Sequence, residues 1–416
     1  MAYLQKSTHF NNWIFSESEL QRIHRLRQLK ATRVLRLEHQ QALSAKAAAA
    51  SDANGAGSTS RAVAARKPRS FAALVPKSTT AVRDVNDWND EIYDDVADLD
   101  AAEAQEAQEC AQLVPPLALL TIDQERVLRE FYEVKVQESC TQLFRTSDKV
   151  KCCAVMLYKR FYLSNSVMEF HPKFIVPTAI YVAGKIEEQY ISVDTIAEQL
   201  HVDHKHVIGH EMILLEGTRF QLIMYHPFRA LWGFVDDFRG FTKAKGKELP
   251  LNTLQKLHSN SCVVVNDLLL TDLPLTYYPP YLALAALSQV VQELGESSVA
   301  APVAGEEIPF TKADVHEYIR RSKFSQGQQI SEVTKQLDAI CNIYTALKAK
   351  QSADKEPAQA EALAKQVKSL YKKLKSFHED DEKSGGKDKK KKDDKKRKSG
   401  KKDDKKKAKK AKKEKK

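Results

Sequence analysis

Four histidines between positions 201 and 210 are residues of the type that binds metal ions. They stand in the string HVDHKHVIGH, in which His206 and His210 are four residues apart. Two imidazoles at that spacing share one face of a helix and can chelate an ion. No H-E-x-x-H pattern accompanies them, and a polar turn that opens a helix explains the string better. We therefore predict no metal site.

Sequence motifs for catalysis are absent. The chain contains no G-x-x-x-x-G-K-[ST] phosphate loop, no G-x-G-x-x-G that opens a helix and no G-x-S-x-G elbow. Its six cysteines include no C-x-x-C pair, which favours reduced thiols in a core over a zinc site or a disulfide framework. We predict a protein that is not an enzyme and needs no cofactor.

Two charged residues adjoin apolar helical stretches. In TAIYVAGKIEEQY, Lys185 lies on the same predicted helix face as Val182 and Ile186, and in GHEMILLEGTRFQL, Glu211 shares a face with Leu215. Residue chemistry leaves two interpretations open. In the first, Lys185 is simply a charge that the helix dipole favours at a C-terminus, and Glu211 is a solvated helix position. In the second, both residues belong to a surface that binds another protein, with the alkyl chain of Lys185 lying along apolar side chains.

Helical periodicity predicts that these stretches belong to two successive sets of five helices. The predicted helices cover residues 121–144, 149–163, 172–188, 192–200 and 204–219, then 227–239, 251–272, 279–293, 311–321 and 329–349. The third helix of each set is the most apolar, so its neighbours must enclose it. The predicted fold is all-α, with two tandem five-helix repeats.

A further helix is predicted near the N-terminus, in WIFSESEL. Ser16 and Glu19 have the spacing of a capping box, and Phe15 can pack onto Leu20 as a hydrophobic staple. The helix should run from Glu17 to about Arg36 and dock on the main domain.

Composition divides the chain into five segments. Residues 45–112 are low in complexity and then acidic, and the last residues are mostly lysine, so both stretches are predicted to be disordered. The predicted segments are an N-terminal helix region (1–36), a disordered acidic insertion (37–112), a first repeat (113–224), a second repeat (225–350), and a C-terminal helix with a disordered Lys-rich tail (351–416).

Charge is distributed unevenly along these segments. Residues 383–416 contain 21 Lys or Arg against six Asp or Glu, whereas residues 84–109 contain eleven acidic residues and no Lys or Arg. The part between them is nearly neutral, which argues against nucleic-acid binding as its main task. No apolar run approaches the ~20 residues of a membrane span, so we predict a soluble intracellular protein without membrane contact.

The segment YKRFYLSNSVMEFHP (158–172), followed by AGKIEE, resembles the cyclin box, and WIFSESEL resembles the N-terminal helix of the same family. The similarity is to the cyclins that regulate the cyclin-dependent-kinase-activating kinase associated with transcription factor IIH. It implies a tandem cyclin fold whose first repeat binds a kinase and positions its activation helix. Family members hydrogen-bond the kinase through a lysine and a glutamate, which match Lys185 and Glu211. The apolar neighbours that the resemblance places on the same surface are Val182, Ile186, Leu215, Phe220 and Leu222.

The resemblance also implies partners and a location. They are a cyclin-dependent kinase catalytic subunit, a third assembly subunit and the core of transcription factor IIH, in the nucleus. The kinase would phosphorylate the RNA polymerase II C-terminal domain and other cyclin-dependent kinases. Two departures stand out: Pro177 should kink the third helix or move its start to about Thr178, and the first helix lacks the M-R-A-I-L-type substrate patch of cell-cycle cyclins.

Two other functions remain alternatives. A cyclin-fold general transcription factor that binds promoter DNA directly would be expected to carry an N-terminal C-x-x-C zinc ribbon, which this chain lacks, and a helical scaffold would show no special surface at Lys185. The tail has no aromatic residue for base stacking, so its nucleic-acid contact would be at most nonspecific. We expect nuclear import or a weak electrostatic contact from it. The basic cluster that would serve import is Lys395, Lys396, Arg397 and Lys398.

Overall fold

In the computed structural model, the elements of the described residues are helices. The structure describes residues 6–52, 96–113, 117, 119–300, 310–322, 324, 327, 329–354 and 356–377. The helices are α1 (Thr8–Trp13), α2 (Glu17–Asp52), α3 (Val96–Ala111), α4 (Ile122–Glu138), α5 (Asp148–Ser164), α6 (Pro172–Ile186), α7 (Val193–Gln199), α8 (His204–Gly209), α9 (Glu211–Gly217), α10 (Pro227–Ala244), α11 (Leu251–Leu268), α12 (Leu273–Thr276), α13 (Pro279–Ala300), α14 (Lys312–Arg321), α15 (Ile330–Ala353) and α16 (Pro357–Phe377). The predicted all-α class is confirmed.

The third helix of each repeat lies at its centre, as predicted. In the first repeat α6 contacts α4, α5, α7, α8 and α9, and in the second α13 contacts α10, α11, α12, α14 and α15. Enclosure on all sides explains why these two helices are the most apolar ones. The buried side chains of both repeats join in one hydrophobic core.

Local geometry departs from the predicted helices at three places. The predicted helix 204–219 is divided at His210, whose ψ of −5° interrupts regular α-helix between α8 and α9. The end of α4 widens into a π-helical turn, Ser139–Leu143, and α12 is a separate short helix after α11. No helix among the described residues has the length and apolar character that crossing a membrane requires.

Pro177 lies inside α6 and does not move its start, so the prediction of a start near Thr178 is wrong. The helix begins at Pro172, and the ring of His171 caps it by accepting a hydrogen bond from the backbone N–H of Lys173 at 3.0 Å. Pro177 is the sixth residue of α6, so the helix forgoes the one hydrogen bond that a backbone N–H at this position would make to the carbonyl of Lys173.

The N-terminal helices dock on both repeats. The capping box of Ser16 and Glu19 is present, and Trp13 is fully buried. Within α2, Arg27 is also buried and pairs with Glu125 of α4 at 2.5 Å. The predicted docking is therefore confirmed, and α2 continues sixteen residues beyond Arg36 because its extension is rich in alanine, the residue with the highest helix propensity.

The prediction of disorder across 37–112 is wrong for residues 37–52, which extend α2, and for residues 96–111, which form α3. α3 packs against α2 through Leu99 and Ala102, which form a small cluster with Leu26 and Leu29 apart from the main core. Ion pairs connect the two helices along their length, for example between Arg36 and Glu106 at 2.9 Å. Residues 53–95 of the predicted insertion lie outside the described residues.

The C-terminal helix α16 packs on α4. Leu370 and Leu374 are buried, and the ammonium of Lys373 donates to the backbone carbonyl of Leu119 at 2.6 Å. The predicted tail, including its basic cluster at 395–398, lies outside the described residues. The five-segment division of the chain remains a prediction, since helices alone do not fix domain limits.

Candidate functional site

Lys185 stands at the exposed C-terminal end of the central helix α6. Gly184 precedes it, and a Cβ there would lie 2.8 Å from the carbonyl oxygen of Gln189, so only glycine lets the following loop fold back this closely. Glu187 caps the helix and accepts from the imidazole of His226 at 2.7 Å, which ties the loop to the start of α10. The end of α6 is thus fixed from two sides.

Glu211 lies at the start of α9, opposite Lys185. The Lys185 ammonium donates to Glu211 Oε1 at 2.6 Å and stands 4.1 Å from the centre of the Tyr181 ring. Partial burial disfavours the charged ammonium, but its hydrogen bonds to Glu211 and Tyr181 outweigh burial and raise the pKa of Lys185. The structure therefore brings together the two charged residues that the sequence singled out.

The apolar residues of the predicted site differ in exposure. Val182 is 2% exposed and belongs to the core, so it supports the site from beneath. Ile186, Leu215 and Leu222 are half-buried, whereas 57% of Phe220 is exposed. We define the α6–α9 surface as the accessible part of this set, comprising Lys185, Ile186, Glu211, Leu215, Phe220 and Leu222.

Phe220 is held outward by a strained turn. Arg219 and Phe220 have φ values of 56° and 55°, in the left-handed region that costs energy for a residue with a side chain. The turn is closed by a hydrogen bond from the backbone N–H of Phe220 to the carbonyl of Leu215 at 2.8 Å. An exposed aromatic ring on a fixed, strained backbone is typical of a binding surface.

Sequence reasoning missed four exposed apolar residues on or beside the same elements. Tyr190 is 71% exposed and follows α6, Ile208 is 50% exposed in α8, Met212 is 56% exposed in α9, and Ile223 is 58% exposed after it. Their adjacency to the charged pair was the available signal, because Met212 directly follows Glu211. Single exposed apolar residues are ordinary, whereas several on neighbouring elements are a candidate for part of an interaction surface.

The residues of the YKRFYL motif lie beneath this surface. Gly217 of α9 sits so close to Phe161 that a Cβ would approach the ring to 2.6 Å. Arg160 is fully buried, lies 4.6 Å from the Trp13 ring centre and donates to the carbonyl of Gln221 at 3.2 Å. Burial lowers the pKa of its guanidinium to about 9. The motif holds α5, α9 and the turn after α9 in place.

The histidines of 201–210 have structural contacts. The rings of His206 and His210 stack on Phe174 at 4.4 and 5.5 Å between centres. In the part of the chain that the structure describes, no three His, Cys, Asp or Glu side chains are grouped to hold a metal ion. All six cysteines are free thiols, and five of them are buried.

Comparison with known proteins identifies similar chains. A family model described as the cyclin C-terminal domain matches residues 226–375. Cyclin-H1-1 of Arabidopsis thaliana is 40% identical over 168 residues, which are 40% of this chain and 49% of the relative. Cyclin CCL1 of Saccharomyces cerevisiae is 35% identical over 168 residues, 40% of this chain and 42% of the relative. The chain thus spans about half the length of the curated relatives it matches.

A solved structure shares the fold across most of the chain. It is that of the CAK complex from Chaetomium thermophilum bound to ATP-γ-S, which matches with a TM-score of 0.56 and 18% sequence identity. The match covers 90% of this chain and 88% of the chain in that complex. Its low identity limits this similarity to the fold.

Proposed function

We propose that this chain is a member of the cyclin family and the regulatory subunit that binds and activates a cyclin-dependent kinase, in the manner of cyclin H; the match of residues 226–375 to the cyclin C-terminal domain and the similarity to Cyclin-H1-1 and Cyclin CCL1 support this. The proposal places it in the kinase-activating module of transcription factor IIH. There the kinase would phosphorylate the RNA polymerase II C-terminal domain and other cyclin-dependent kinases. The chain itself supplies a binding surface and no catalytic group.

The observation that carries the proposal is the α6–α9 surface. It combines a charged pair, Lys185 and Glu211, with half-buried apolar side chains and the exposed ring of Phe220. A rigid apolar patch with a few charge-assisted hydrogen bonds is the usual composition of an interface centre. Both charged side chains remain partly exposed, at 39% and 26%, so a partner can reach them.

The surface would act by changing the conformational equilibrium of the kinase. A protein kinase is active when its Lys–Glu ion pair and its metal-binding Asp are in place, and the position of helix αC controls both. Lys185 and Glu211 would exchange their mutual hydrogen bond for bonds to the kinase, each contributing roughly 1.5–3 kcal/mol. Because these contacts form only with the productive pose, they shift the population toward it.

Three partners follow from the proposal: the kinase catalytic subunit, a third assembly subunit and the core of transcription factor IIH. The relatives named Cyclin-H support this assignment. A nuclear location follows from the same assignment. Truncation at residue 380, which removes the basic cluster, tests the import role of the tail, and undiminished nuclear accumulation of a fluorescent fusion would rule that role out.

The experiment that tests kinase activation uses the double variant Lys185→Ala with Glu211→Ala. We expect loss of co-purification with the kinase and loss of phosphorylation of an RNA polymerase II C-terminal-domain peptide, with an unchanged helical circular dichroism spectrum. A matched control is Lys312→Ala with Asp338→Ala, which removes a pair of similar length (2.6 Å) and exposure in the second repeat. Normal activation by the first variant would refute the proposal.

A further inference from the structure

A second candidate site lies outside the α6–α9 surface. It is a cleft of about 830 Å³ between α2, α4 and the second repeat, and no residue of the α6–α9 surface lines it. Its apolar walls are formed by Phe15, Leu20, Ile122, Leu273, Tyr277 and Ile343. Four cationic side chains, Arg25, Arg126, Arg129 and Lys335, and three acidic ones, Glu17, Asp272 and Glu332, also line it.

Three charged residues are buried along one face of α4, at intervals of four. Glu125, Arg129 and Glu133 are 0%, 6% and 3% exposed. The two carboxylates are each paired with a cation from another helix: Glu125 with Arg27 at 2.5 Å, and Glu133 with Lys159 at 2.5 Å. Arg129 lies between two acids that are already paired.

Arg129 interacts with Glu133 through its charge, but no hydrogen bond or ion pair closer than 4.0 Å joins its guanidinium to a described residue. Its Nε–H is buried and lacks an acceptor, although a guanidinium carries five N–H donors. A buried N–H donor without an acceptor is costly, and a bound carboxylate would supply both the missing acceptor and a negative charge. The other two arginines of the cleft are already paired, Arg25 with Asp100 and Glu103, and Arg126 with Asp123.

We propose that this cleft binds a carboxylate side chain of a partner protein. Arg129 would bind the carboxylate, and the apolar walls would contact the residues beside that acid. The guanidinium fork matches a carboxylate, which it can bind through two parallel hydrogen bonds. The three acidic side chains that line the cleft would repel a dianionic phosphate more strongly than a singly charged carboxylate. The expected ligand is therefore a peptide segment with Asp or Glu between apolar residues.

Arginine side-chain NMR tests this directly on the full chain labelled with ¹⁵N-arginine. The Nε–Hε signal of Arg129 is assigned by its loss in the Arg129→Met variant. We expect the peptide acetyl-Leu-Glu-Leu-amide to shift this signal, an effect weakened by salt, and its glutamine counterpart to leave it in place. No shift at 10 mM peptide, or an equal shift with the glutamine peptide, would overturn the proposal, as would a shift with inorganic phosphate alone.

The thermal stability of the Arg129→Met variant shows whether Arg129 serves to bind a carboxylate or to stabilise the fold. Because the Nε–H of Arg129 is buried without an acceptor and the neighbouring carboxylates are paired with other cations, replacement of Arg129 by Met should leave the melting temperature unchanged or raise it, while peptide affinity falls by about tenfold or more. Arg126→Met is the control, since that residue is half-exposed at the cleft and already paired. A stability loss in Arg129→Met with no peptide shift in the native chain would assign Arg129 a structural role only.

A further variant tests whether the carboxylate that binds in the cleft comes from this chain itself. Replacing the six acidic residues between positions 84 and 95 by Asn or Gln should leave the Arg129 signal of the free protein unchanged. A changed signal would assign the cleft to that segment and overturn the proposal of a partner protein.

Discussion

Lys185 and Glu211 form an ion pair that contributes little to the stability of the free chain. Exposed pairs of this kind are typically worth ~0–1 kcal/mol, because solvent screens them and ordering both side chains costs entropy. We therefore expect Glu211→Gln to change the melting temperature by less than about 3 °C, since a 1 kcal/mol change shifts it by a few degrees in a chain of this size. The same variant should weaken kinase binding by about tenfold or more, measured by titration calorimetry. A large loss of stability with intact binding would identify the pair as a structural element.

His9, like the largely buried His24, has a lowered pKa, so acid pH should weaken the fold at His9. Burial, with the charges of Arg160 and His226, lowers its pKa from 6.5 to about 3, and its Nδ1 accepts from the backbone N–H of Tyr225 at 3.0 Å. Between these two pKa values the unfolded chain binds a proton that the folded chain does not, so stability falls as pH decreases below about 6.5. At pH 5 the contribution of His9 to this loss is about 2 kcal/mol.

The His9→Asn variant isolates this contribution. An asparagine amide oxygen can replace Nδ1 as the acceptor but does not titrate. Urea unfolding at pH 7 and pH 5 should show a smaller loss of the free energy of unfolding in the variant than in the native chain. An identical pH dependence in both would contradict the assignment of the low pKa to His9.

At the scale of the helices, the spacing of apolar residues was enough to predict a helix wherever that helix buries an apolar stripe in the main core. α6 and α13 were predictable for that reason, and so was the capping box that opens α2. α3 was not, because its stripe contains one large apolar residue, Leu99, and the rest of its attachment consists of arginines some seventy residues away. Sequence periodicity does not show which charged side chains meet across the fold. For that reason only the family resemblance placed Lys185 and Glu211 on one surface, and nothing in the sequence indicated that the Nε–H of Arg129 is buried without an acceptor.

The attachment of α3 should depend on ionic strength. Arg25, Arg33 and Arg36 of α2 pair with acids of α3, and most of these side chains are partly exposed. Raising NaCl from 0.1 to 1 M shortens the Debye length from about 10 to about 3 Å and weakens such pairs. Hydrogen exchange of residues 96–111 should therefore become several-fold faster in high salt, while exchange in α13 stays slow.

An Arg25→Gln, Arg33→Gln, Arg36→Gln variant is the matched control for α3. It should show fast exchange of residues 96–111 already at 0.1 M NaCl and little further response to salt. Slow exchange in this variant would mean that the apolar cluster around Leu99 alone holds the helix.

At the scale of the whole molecule, the N-terminal helices connect the two repeats to the α6–α9 surface. The Phe10 ring stacks on Tyr278 of the second repeat at 4.4 Å, and the backbone N–H of Phe15 donates to the carbonyl of Leu275 at 2.8 Å. In the other direction, the indole N–H of Trp13 donates to Gln221 Oε1 at 2.7 Å. Gln221 directly follows Phe220, so the position of the strained turn depends on helix α1.

Trp13→Phe should consequently weaken kinase binding from a distance. The phenyl ring keeps most of the buried apolar contact but lacks the indole N–H, and losing a neutral hydrogen bond typically costs ~1 kcal/mol, or about fivefold in affinity. Kinase titration should show this loss with little change in the circular dichroism spectrum. Trp232→Phe is the control, because Trp232 lies in the second repeat and is 64% exposed. This substitution should leave the affinity for the kinase unchanged. Equal affinity of the Trp13→Phe variant and the native chain would show that the turn at Phe220 holds its position without helix α1.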